Sequence, residues 1–174
     1  MLDITYFSQS YTQLTSAYLT KAHNFRTRAY IPLTRGIIRD HLEDITTPLA
    51  GTAWMSMPPL VGTANMTEVA YNAGTWLEDL VNNQSYLWTY GSGGGLLAND
   101  NGQLIFYWTE FAANSQLLPN LNFDGVFNML MGSYVGDWDN RNNVMRAVIA
   151  SGHALSCVYS GPPNWWSHPM AMGK

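Results

Sequence analysis

Ionic groups are scarce in this chain. Only 11% of its 174 residues are charged, and eight Lys and Arg against twelve Asp and Glu leave a formal net charge of −4. A phosphate-binding surface needs clustered basic side chains, so no nucleic-acid partner is expected. Cysteine is reduced to Cys157, which excludes an internal disulfide and a zinc cluster built on cysteines. One cysteine does not fix the compartment, because large secreted domains fold without disulfides. No apolar run reaches the ~18–20 residues that span a bilayer, so no membrane span is expected. The opening MLDITYFSQS lacks a basic segment followed by an apolar stretch, so it does not read as a signal peptide. The expectation is a cytoplasmic protein or a piece beginning inside a longer chain. Repeats and low-complexity linkers are missing too, which points to one α/β domain over residues 1–174.

What the chain has is aromatic and apolar mass. Seven Trp and ten Tyr stand in a sequence that is 47% hydrophobic, so much apolar surface must be buried in a core or against a partner. Residues 8–23 read as an amphipathic helix with Tyr11, Leu14, Tyr18 and Leu19 at helical spacing and Ser8 or Ser10 as its cap. GIIRDHLEDI, within residues 35–45, is a short strand running into a turn, or a helix. Residues 46–64 suggest an ordered loop, and 66–81 a helix weakened by Gly74. Ser85 to Tyr90 reads as a buried strand ending in a glycine turn. Residues 96–102 read as a polar loop with a turn at Asp100-Asn101-Gly102. Leu104 to Phe111 suits a strand or a helix. Residues 126–134 and 154–159 read as two further buried strands, with a helix from Asn143 to Ala150 between them. Short apolar strands alternating with helices predict a mainly parallel sheet with helices on its faces.

Three segments and a few single side chains could carry chemistry. Gly91-Ser92-Gly93-Gly94-Gly95 follows a strand, where glycine backbone approaches an anion or carbonyl closely. It lacks the Gly-Lys-Ser/Thr of a phosphate loop and, with Tyr90 in place of the first glycine, the G-x-S-x-G elbow. The plain alternative is a tight turn. Asp137-Trp138-Asp139-Asn140-Arg141 crowds oxygen ligands, but Arg141 breaks the calcium-loop pattern, and the acidic pair suits the N-terminus of the following helix better. Trp165 and Trp166 offer flat surfaces for a sugar or a protein, or cover the end of the sheet. His23, His41, His153 and His168 show no metal spacing, so no metal and no cofactor is expected. Cys157, mid-strand, reads as an inert buried thiol.

The segments YLTKAHNFR, RGIIRDHLED, SYLWTYGSGGG, VFNMLMGSYVGDWDNRNNVMRA and ALSCVYSGPPNWWSHPMAMGK, in this order, resemble the C-terminal part of large secreted bacterial proteins. The resemblance covers nearly all of residues 14–174 and implies a secreted or cell-surface location within a longer chain. More remotely, the region is similar to the caspase-like fold of gingipain-type cysteine peptidases, which implies a three-layer arrangement. In that family a Tyr-x-Gly-His-Gly turn supplies a histidine and a later small-residue turn supplies a cysteine. Here Ser92 stands at the histidine position, and Gly132-Ser133-Tyr134-Val135-Gly136 contains no cysteine. The resemblance therefore implies a scaffold that has lost its catalytic pair, and loss of one member of such a pair costs on the order of a million-fold.

Three functions follow as expectations. The first is a non-catalytic, peptidase-like domain binding a protein or glycan at the cell surface, with Trp165, Trp166, Gly93, Gly94, Asp137 and Trp138 as contacts. The second is a hydrolase with Ser92 or Ser133 as nucleophile, His168 or His153 as base, and glycine N–H groups as oxyanion donors. The third is a self-associating subunit of an extracellular filament or surface layer.

Overall fold

The computed structural model describes residues 2–40, 57–68, 80–81, 85–93, 95–100, 103–108, 113–114 and 118–159. Eight strands and three helices are described. The strands are β1 (Gly36–Asp40), β2 (Met66–Glu68), β3 (Tyr86–Ser92), β4 (Gly95–Asp100), β5 (Gln103–Trp108), β6 (Ala113–Asn114), β7 (Gly125–Met131) and β8 (Ser156–Tyr159). The helices are α1 (Tyr11–Arg26), α2 (Pro58–Val61) and α3 (Val144–Ala150). Five strands form an all-parallel sheet in the order β2-β1-β3-β7-β8, and β4-β5-β6 form a separate antiparallel sheet. The protein is thus an α/β fold with helices flanking a parallel sheet.

Strands covered on both faces carry near-continuous apolar runs, and GVFNMLM in β7 is one. Neighbouring residues there point to different cores. Leu130 joins Ile37, Val144, Ala147, Val148 and Cys157 on the α3 side. Met129 joins Ile38, Met57 and Tyr90 on the other. This period of two is the strand pleat expressed as packing. Gly36 permits the pairing of β1 with β2, because a Cβ there would lie 2.9 Å from the Met66 sulfur.

Helix α1 begins at Ser10, not Ser8. The Gln13 amide donates to Ser10 Oγ at 3.4 Å and the Ser10 amide donates to Gln13 Oε1 at 2.8 Å, a reciprocal capping box. The helix runs past the predicted end at residue 23. It stops where Arg28 takes φ +61°, a left-handed residue just beyond the Thr27 cap that turns the chain away. Of the expected apolar stripe only Leu14 is buried, while Leu19 is 61% exposed.

Other expectations are corrected. The helix proposed from residue 66 begins instead as strand β2, since Met66–Glu68 pairs with β1; residues 69–79 lie outside the described residues. Residues 96–100 are strand rather than loop, because β4 is held by β5 in a register from Gly95↔Trp108 to Asp100↔Gln103. Asn101 and Gly102, where the turn was expected, lie outside the described residues. The ambiguous segments at 36–40 and 104–108 are both strands. The turn expected directly after Tyr90 is delayed, since β3 continues through Gly91 and Ser92.

Candidate functional site

In a parallel sheet every strand ends at the same edge, and in open α/β sheets ligands bind outside those carboxyl ends. The ends here are Glu68, Asp40, Ser92, Met131 and Tyr159, and the register sets Ser92 between Asp40 and Met131. Both candidate serines belong to this edge. Ser92 is fully buried, which denies a substrate access to its hydroxyl. The following Gly93 amide donates to Met131 O at 3.0 Å, so it is committed to the ladder rather than aimed at an oxyanion. Ser133 is exposed in the turns that follow β7.

His153 is at the opposite edge. Its amide donates to Phe123 O at 2.8 Å, and the Tyr86 amide donates to Asp124 O at 3.0 Å, so it flanks the amino ends of β3 and β7. Ser92 lies six residues beyond Tyr86 along β3, roughly 20 Å at ~3.3 Å per residue. The fold therefore does not bring His153 to Ser92. His168, Trp165, Trp166 and Gly94 lie outside the described residues.

Among the described residues, three aromatics are exposed at the carboxyl edge. Tyr134 is 48% exposed, Trp138 40% and Tyr159 48%. Tyr134 holds φ +62°, a conformation costly for a residue with a Cβ and one that marks functional turns. The loop is built by successive turns: Val135 N–H to Gly132 O, Asp137 N–H to Tyr134 O at 3.1 Å, and Trp138 N–H to Gly136 O at 2.7 Å. Gly136 fits against the Tyr159 ring, where a Cβ would lie 3.4 Å from the nearest ring carbons.

Helix α3 fixes this loop from below. The Arg146 guanidinium donates to Trp138 O and lies 5.2 Å from the centre of the Trp138 ring. Asn143 caps α3, accepting from the Met145 and Arg146 amides, and its own amide donates to Val135 O at 2.8 Å. This corrects the expectation that Asp137 and Asp139 cap the helix: an asparagine one residue before Val144 has the right reach, and the aspartates stand several residues upstream. The two aspartates flank Trp138 in sequence, with Asp139 exposed and Asp137 half-buried.

Sequence reading missed Tyr134, Tyr159 and Arg146. Tyr134 and Tyr159 each close a strand-like apolar run, and position at a strand's carboxyl end was the one available signal. Among the described residues no group of three His, Cys, Asp or Glu converges as a metal site, and no helix is long and apolar enough to cross a membrane. Cys157 is buried in β8, and burial pushes its thiol well above the usual range. No protein-family model, curated protein or solved structure matches the chain.

Proposed function

We propose that the chain is a non-catalytic, peptidase-like binding domain of a secreted or cell-surface protein, and that it holds a glycan at the carboxyl edge of its sheet. The observation that carries this reading is Trp138. One side of the indole faces Arg146, the ring is 40% exposed, and carboxylates stand on either side of it in sequence. A flat indole stacks on the apolar face of a sugar ring, and adjacent carboxylates accept from its hydroxyls. Tyr134 and Tyr159 extend the platform. The caspase-like arrangement is part of the proposal; the strand order and the flanking helices are in keeping with it. The buried Ser92 and its distance from His153 favour binding over hydrolysis.

Affinity electrophoresis through gels carrying a panel of bacterial surface polysaccharides tests the reading. At least one polysaccharide should retard the wild-type protein, and Trp138→Ala should abolish that retardation while leaving the fold intact by circular dichroism. A Trp138→Ala protein retarded as strongly as wild type, or a wild type that no polysaccharide retards, would count against a glycan. A protein captured through the same three aromatics would then be the partner.

A further inference from the structure

The opposite edge of the sheet carries a second site. A cavity of about 530 Å³ opens between α1 and the turn joining α3 to β8, a volume in the range of small-molecule pockets. Its polar groups include Lys21, Tyr30 and His153, set in a lining that also includes Ala17 and Ala150.

These groups are held by the fold. Lys21 Nζ donates to Ile149 O at 2.6 Å and Ser151 O at 2.9 Å. These are carbonyls at the end of α3, where a cation is favoured. An ammonium has three N–H donors, so one remains for the cavity. His153 Nδ1 pairs with Asp124 Oδ1 at 2.7 Å. Asp124 is 6% exposed, and this buried acceptor holds the proton on Nδ1 and leaves Nε2 toward the opening. Tyr30 stacks on the imidazole at 3.9 Å between centroids and 3° between planes, fixing the ring's orientation.

We propose that this cavity binds a small organic acid with an apolar body, its carboxylate bridging Lys21 Nζ and the Nε2–H of a protonated His153. The Asp124 carboxylate behind the imidazole fixes the ring so that its far edge faces the bridge. Around Lys21 the titratable groups are Tyr18 on its own helix, 5.7 Å from ring centre to Nζ, and Tyr30 and His153 across the cavity, with Asp124 behind them. Burial lowers Lys21 to about 7, so near neutral pH the empty site holds less than a full positive charge. An incoming carboxylate restores that charge, and binding takes up protons. Affinity is therefore highest at low pH and declines as pH rises past 7.

The test is a titration with benzoate followed by amide chemical shifts and by calorimetry in two buffers of different ionisation enthalpy. Benzyl alcohol serves as the neutral isostere. Benzoate should produce saturable shifts centred on residues 17–24 and 149–153, with net proton uptake at pH 7.5. Affinity should fall at least thirtyfold between pH 6 and pH 8.5, about thirtyfold coming from the loss of the Lys21 ammonium alone. Lys21→Gln should weaken binding at pH 6 at least tenfold. His153→Gln, which leaves Lys21 and its two carbonyls in place, should weaken it and reduce the proton uptake. Equal shifts with benzyl alcohol, an affinity independent of pH, or undiminished binding in both variants would overturn the proposal. Trp138→Ala should not alter benzoate binding, which separates this site from the aromatic platform.

Discussion

At the scale of single residues, two positions decide more than their size suggests. Asn128 sits at the middle of β7, buried, with its Oδ1 accepting from Thr89 Oγ1 at 2.7 Å and its Nδ2 donating to Gly125 O and Ser156 O at 3.1 Å each. It therefore ties β3, β7 and β8 together across the sheet. Asn128→Leu keeps the branched shape but overfills the site and strands the Thr89 hydroxyl, and should lower stability by about 2–4 kcal/mol in urea unfolding. Gly152 takes φ +34°, and a Cβ there would lie 2.0 Å from Phe123 O. Gly152→Ala must displace backbone, so a loss of about 2–4 kcal/mol is expected by the same measurement. Asn128 was legible only as a polar interruption in an apolar run. Gly152 was legible as a helix terminator, but its contact with Phe123 joins residues far apart in sequence.

At the scale of elements, α1 and α3 show how local and distant signals divide the work. The capping box and the apolar spacing of α1 are local, and the sequence located its start to within three residues, with Ser10 among its two candidate caps. Its far end rests on Arg28 at φ +61°, a residue with no sequence signature for that conformation. Arg28→Gly removes the Cβ penalty and should stabilise the protein by about 0.5–1 kcal/mol, read as a raised Tm. Helix α3 is only seven residues long, too short to persist alone. Its cap Asn143 also holds Val135 O, so Asn143→Ala should cost about 2 kcal/mol. The same change should weaken glycan retention by loosening the loop that carries Tyr134 and Trp138. Strand β4 was read as a loop because Ala98, Asn99 and Asp100 lack β propensity; the ladder to β5, which the sequence left open between strand and helix, makes them extended.

At the scale of the whole molecule, two buried groups shape stability against pH. Burial lowers Lys21 from 10.5 to about 7. Between those values the unfolded chain binds the extra proton, so stability rises with pH. Tyr30 behaves oppositely: burial first, and then the Asp124 charge, raise it from 10.0 to about 12. Above pH 10 the unfolded chain releases a proton that the folded chain keeps, and stability falls. Calorimetric Tm values should climb from pH 7 toward pH 10 and drop by pH 11.5. Lys21→Met should flatten the rising limb, and Tyr30→Phe the falling one.

The sequence by itself determined the class of fold. Apolar runs at strand length, separated by helical periodicity and glycine, leave a buried parallel sheet as the arrangement that hides them. It also placed Ser92 and Ser133 at strand ends, because a strand's end is written locally in the small residues that follow it. What the tertiary structure alone decided is which ends meet. Strand direction and register carried Ser92 and His153 to opposite edges of one sheet. They gathered Tyr134, Trp138 and Tyr159 at one edge and Lys21, Tyr30 and His153 at the other. The first grouping exists because β7 and β8 pair side by side and end together, and the second because α1 packs where the turn before β8 returns, bringing Lys21 and His153, more than a hundred positions apart, to one cavity.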